Sequence, residues 1–101
     1  MTFPEVTVDG GVRRQVLADH EALMVVAFRF QAGMEGALHH HPHVQSTFVR
    51  SGRFEFTVAG DTFSVGEGDS FVIPSGAEHG CVCIEDGELI DCFSPRRDDF
   101  L

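Results

Sequence analysis

A chain of 101 residues with 43% apolar side chains has material for one core and no room for a second module, so residues 1–101 are read as one domain. Sixteen acidic against seven basic residues leave a formal charge of −9, which argues against nucleic acid or an anionic membrane as partner, since both bind cationic surfaces. Ten Phe stand beside no Trp and no Tyr, so the large rings carry no polar handle and serve packing.

The opening Met-Thr-Phe-Pro-Glu has no charged segment followed by an apolar run, and no stretch approaches the roughly 20 apolar residues of a spanning helix. A cytoplasmic protein is the expectation. Cys81, Cys83 and Cys92 are an odd number for a disulfide framework and are expected as reduced thiols filling the interior.

Glycine recurs between short β-rich runs and no window sustains a helical period, which predicts an all-β fold. Residues 12–18 form a first strand. Residues 23–30 are apolar at nearly every position, as in a strand buried on both faces. After a turn at 31–35 comes the histidine run. If it is extended, His39, His41, His43 and Gln45 share one side while His40 points away, and Pro42 inside the strand implies an edge or a bulge.

Residues 46–51 continue that strand and Gly52 breaks it. Residues 53–58 then place Phe54, Phe56 and Val58 on one face. Ala59-Gly60 reads as a hairpin turn into 61–65, and Gly66 to Asp69 as a turn before 70–73. Ile73-Pro74-Ser75-Gly76 has the chemistry of a type I turn. Residues 79–84 and 88–93 are the last strands, joined across Glu85-Asp86-Gly87. Residues 94–101 are expected as an ordered tail closing over the rest of the chain, since Phe100 and Leu101 would otherwise be left exposed. Eight or nine short strands describe a small sandwich or jelly-roll barrel.

His39, His41, Gln45 and His79 make a candidate ligand set of three imidazoles and one amide. These donors are neutral, so a bound divalent ion keeps its full charge and stays a strong Lewis acid. Nitrogen-rich ligation suits Ni, Zn, Fe, Co or Mn over Ca or Mg.

The spacings resemble the two motifs of the cupins: Gly33, His39, His41, Gln45 and Gly52 in the first, and Gly68, Pro74 and His79 in the second. Cys83 departs from the Asn that often ends the second motif. The ending is similar to that of the KdgF type, small single-domain cupins that linearise 4,5-unsaturated uronates to 4-deoxy-5-keto sugars in pectin and alginate breakdown. Asp91, Phe93, Ser94, Pro95, Arg97, Asp99, Phe100 and Leu101 carry that likeness, while Val44 stands where the type commonly has Glu.

The resemblance implies a cupin jelly-roll β-barrel of the RmlC-like kind, one metal ion on His39, His41, Gln45 and His79, and activity dependent on Asp91 and Phe93. It also implies a small anionic sugar-acid substrate and a homodimer, which the apolar 23–30 strand independently suggests. Asp91 is the candidate acid/base. Arg96 or Arg97 either clamps the substrate carboxylate or pairs with Asp98 and Asp99, and His43 lines the pocket mouth. His20 carries no functional signal. The competing functions are an iron dioxygenase and a non-catalytic small-molecule binder.

Overall fold

The architecture rests on two long strands, each of which runs through both halves of one bent eight-stranded sheet. A computed structural model describes residues 3–101 and holds eight strands in chain order. These are β1 (Glu5–Thr7), β2 (Arg13–His20), β3 (Leu23–Phe30), β4 (Glu35–His39), β5 (Val44–Val58), β6 (Asp61–Gly66), β7 (Ser70–Ile73) and β8 (His79–Ser94), with short 3-10 turns at Asp9–Gly11 and Asp98–Phe100. All pairings are antiparallel. One half of β5 pairs with β7 and the other with β6, while β8 divides in the same way between β4 and β3. The two strands pair with each other along their length and bend together, which folds one continuous ladder into the two faces of a jelly roll.

Glycine makes the bend possible. Gly52 lies at φ +82°, and a Cβ there would meet the carbonyl oxygens of Asp86 at 2.5 Å and Glu85 at 2.6 Å. Gly87 backs onto Ser51 and Gly52 from the partner strand. The residues expected to end strands therefore let them turn a corner: 46–51 and 53–58 are one strand, and so are 79–84 and 88–93.

Alternation along β5, β8 and β3 sends Val49, Phe54, Phe56, Leu89, Phe93, Met24, Val26 and Phe30 inward. Two apolar clusters result, one around Phe54, Phe56 and Phe30 and one around Phe93, Met24 and Val26, with Phe28 packed against both. Phe30 and Phe54 meet edge to face at 5.2 Å, the geometry that ring quadrupoles favour. Burying rings of this size stabilises by about 1.5 to 3 kcal/mol each.

Several local expectations are corrected. The first strand of 12–18 runs from Arg13 to His20, and a further edge strand, β1, precedes it. β3 has the expected bounds and sits between β2 and β8, yet Leu23 is 49% exposed, so it is not buried on both faces throughout. The proline turn spans Pro74 to Ala77, with Gly76 at its third position at φ +77°. Phe100 packs against Phe28 and Phe93, whereas Leu101 stays exposed. The three cysteines are free thiols. Among the described residues no helix is long and apolar enough to cross a membrane.

Candidate metal centre

β4 ends at His39 and β8 begins at His79, and the two are register partners. Residues 40–43 leave the strand, because Pro42 cannot donate to a ladder. The single strand expected from 39 to 45 is thus a strand end, a loop and a strand start. His41 reaches the site from the loop and Gln45 from β5, so the donors converge, with ligand atoms of His39, His41 and His79 all within 4.8 Å of one another.

The ring nitrogens have assigned roles. Nδ1 of His39 faces the Ala37 carbonyl at 2.7 Å, Nδ1 of His79 the Ala77 carbonyl at 2.9 Å, and Nδ1 of His41 the His43 carbonyl at 3.1 Å. A carbonyl only accepts, so each Nδ1 carries the proton and each Nε2 presents a lone pair. His79 Nε2 is buried with no partner. His41 Nε2 lies 3.0 Å from Gln45 Oε1, which sets two acceptors against each other. A shared cation resolves both conflicts, so the donors fit a transition metal.

Burial favours the neutral form of His79 and His41. Burial pushes His79 down to about 4, and the neighbouring His39, His41 and Arg97 charges act the same way against the Ala77 bond. His41 is lowered first by burial and then by Arg97. Neutral imidazole is the ligating form.

Asp91 is 5% exposed and stands opposite Thr47 in the β5–β8 register. Thr47 Oγ1 donates to Asp91 Oδ1 at 2.7 Å, and Gln45 Nε2 donates to Thr47 Oγ1 at 3.0 Å. Burial raises the Asp91 carboxyl to about 7, although Thr47, Gln45 and Arg97 all pull the other way.

A cavity of about 300 Å³ joins these groups, its wall including His39, His79, Gln45, Asp91, Phe93, Arg97 and Phe100. Arg97 forks onto Asp99 at 3.0 and 2.9 Å and lies over the Phe100 and Phe93 rings at 4.2 and 5.1 Å.

Arg96 turns away to Asp19, with bonds of 3.0 and 2.7 Å, and only grazes Asp98, its expected partner, at 4.0 Å. His43 is not in the cavity wall; its Nε2 meets the Arg96 carbonyl at 3.1 Å and so ties the C-terminal segment to the histidine loop. His40 is exposed, and His20 accepts the Ala22 amide at 3.1 Å within a turn.

The cupin-domain family profile matches residues 26–91. The pectin degradation protein KdgF of Dickeya dadantii (strain 3937) is 37% identical over 93 residues, covering 90% of this chain and 84% of that protein. This chain is a cupin of the KdgF family. Among solved structures the cupin is similar to KdgF from Halomonas sp., with TM-score 0.93 and 37% identity over 100% of this chain and 98% of that one. An RmlC-like cupin from Shewanella frigidimarina NCIMB 400 gives TM-score 0.94 and 40% identity, covering 98% and 89%. The expected RmlC-like barrel is therefore the fold of this cupin.

Sequence reasoning missed Thr47 in the cupin's site. Its signal was its parity: two residues beyond Gln45 on one strand, it faces the same interior.

Proposed function

We propose that this cupin linearises 4,5-unsaturated uronates to 4-deoxy-5-keto-uronates in pectin breakdown. Its kinship with KdgF supports the pathway. The observation that carries the chemistry is the convergence of three imidazole ligand atoms, two of them on rings that share one cavity wall with a buried carboxyl and an arginine.

His39, His41, His79 and Gln45 would hold one divalent transition ion: Ni, Zn, Fe, Co or Mn. When bound, such an ion supplies Lewis-acid stabilisation to negative charge on substrate oxygens. Arg97 pairs with Asp99 through Nε and one Nη, and its other Nη is the contact for the sugar carboxylate, a local anion site in an acidic protein. Phe93 and Phe100 flank that guanidinium and wall the cavity with apolar surface, which keeps water from the charged groups.

The reaction is an isomerisation. The anomeric hydroxyl loses its proton, the bond from the ring oxygen to the anomeric carbon breaks so that the ring oxygen leaves as an enolate, and that enolate gains a proton on carbon to become the ketone. A carboxyl titrating near neutrality can deliver one proton and take up the other, and Asp91 fills that role. Its place in the wall of the cavity that the histidines share supports catalysis over simple binding.

The same reading makes the protein a cytoplasmic homodimer. Val44 and Phe48 on β5 and Val72 on β7 face outward and are 45%, 43% and 61% exposed. By register they adjoin the outward row of Cys92 and Ile90 on β8, forming an apolar face for a second copy.

The test is loss of enol-ether ultraviolet absorbance when purified protein meets an unsaturated monouronate, with and without chelator. Turnover should be chelator-sensitive and independent of oxygen. Asp91→Asn should keep fold and stoichiometric metal but lose most turnover. Oxygen consumption by the iron-loaded protein would instead favour a dioxygenase.

A further inference from the structure

Thr47 is wholly buried, and its one hydroxyl stands between a metal-ligand candidate and the candidate acid/base. A hydroxyl has a single proton to give. That proton goes to Asp91 Oδ1, which accepts whether the carboxyl is ionised or holds its own proton on the other oxygen, so Thr47 Oγ1 must accept from whatever lies on its other side. The end of Gln45 that faces it is then the NH₂ group, which turns Oε1 toward His41. Were the amide reversed, Gln45 Oε1 would compete with Asp91 for the same proton, and one of two buried acceptors would go without.

We infer that Thr47 is a positioning residue, whose hydroxyl fixes both the Gln45 amide with its oxygen toward the metal-binding histidines and the Asp91 carboxylate against β5. The bond chain is directional, running from Gln45 NH₂ to Thr47 OH to Asp91 Oδ1. It occupies Oδ1 of a carboxyl that lines the cavity. The orientation of a metal ligand and of the proton-transfer group are thus set by one atom.

The catalytic half of this inference rests on the uronate reading, whereas the metal half does not. The experiment therefore has two arms. In the first, Zn²⁺ and Ni²⁺ are titrated into chelator-treated protein against a competing chromophoric chelator, without any sugar. In the second, kcat and KM are measured on an unsaturated monouronate. Thr47→Val keeps the shape without the hydroxyl, Thr47→Ala lacks both, and Thr47→Ser keeps the hydroxyl without the methyl.

The hydroxyl-free variants should bind metal about 10-fold to 100-fold more weakly, the range for residues that orient ligands. Their kcat should fall at least tenfold with KM within about threefold, while Thr47→Ser stays near wild type in both arms. Should Thr47→Val not fold, Ala against Ser makes the same comparison. Variants that sort by volume, with Ser as impaired as Ala, overturn the inference. So does unchanged metal affinity in Thr47→Val or Thr47→Ala. If wild type binds metal but does not turn over the uronate, the functional proposal fails and the metal arm alone decides this one.

Discussion

His39 and His79 face each other where β4 meets β8, their ring centroids 4.3 Å apart and both protonated at Nδ1 by virtue of their carbonyl partners. Two lone pairs therefore point into one space, with His79 Nε2 buried and unpartnered. A buried unsatisfied group of this kind costs about 1 to 3 kcal/mol. Metal binding removes that cost, so Zn²⁺ or Ni²⁺ at about 100 times its dissociation constant should stabilise by about 2.7 kcal/mol. For a chain of this size that is a rise in Tm of about 10 to 20 °C in a thermal melt. Ca²⁺ and Mg²⁺ should leave Tm unchanged, and His79→Ala should abolish the rise. An equal rise in His79→Ala would show that the metal sits elsewhere.

The close approach of Gly87 to Ser51 and Gly52 gives a second prediction. A methyl group on Gly87 would collide with backbone, which cannot swing aside as a side chain does. Gly87→Ala should cost about 3 kcal/mol or more in urea unfolding. Gly60 is the control: it lies at φ +87° in an exposed turn, and an added Cβ meets nothing within 4 Å. Gly60→Ala should cost only the left-handed strain, about 1 to 2 kcal/mol. Equal losses in the two variants would mean that the corner is not tightly packed.

The contrast between these glycines explains what the sequence disclosed. Residues 23–30 and 70–73 were legible to the residue because each is a β-rich run with turn residues on both sides. β5 and β8 were not legible as single strands, since Gly52 and Gly87 look the same whether they stop a strand or bend it. β1 left no trace because its three residues are exposed and only pairing with β2 defines them. At the site, spacing identified the histidines that converge, but the reason differs: His41 arrives through a loop held by the His43 carbonyl, not by strand parity. Thr47 stayed silent because a hydroxyl on an inward strand position has no signature of its own. Arg96 and Asp19 are 77 residues apart, beyond any local reading of charge.

If a second copy covers the outward face of β5 and β7, a charge placed there will be buried without a partner. Phe48→Glu puts one opposite Ile90 and Ser70 and diagonal to Val72, in a position 43% exposed in the single chain. Light scattering should give twice the chain mass for wild type and one chain mass for Phe48→Glu, with circular dichroism unchanged. A monomeric wild type would remove the dimer from the functional reading.

Asp91 and His79 make opposite demands on stability, and pH separates them in metal-free protein. Asp91 titrates near 7 when folded against 3.8 for its ordinary value, so between those limits the folded state holds a proton that the unfolded state has released. Its contribution falls as pH rises, by up to about 4 kcal/mol across the interval. His79 titrates near 4 when folded against 6.5, so the unfolded state holds the extra proton and stability rises with pH until about 6.5. His41, also lowered, adds to the histidine side. Glu5, Asp19 and Asp99 are held below their ordinary range by hydrogen bonds from Arg29, Arg96 and Arg97, and have finished titrating by about pH 5. In chelator-treated wild type the urea midpoint should therefore change little from about pH 5 to 6.5, then decline toward 7. Asp91→Asn removes the falling component, leaving a midpoint that climbs to about pH 6.5 and stays level. His79→Gln should weaken the rising component and tilt the curve downward. Parallel curves for wild type and Asp91→Asn would show that the carboxyl does not carry its proton in the folded protein at neutral pH, and would remove Asp91 from the proton-transfer role.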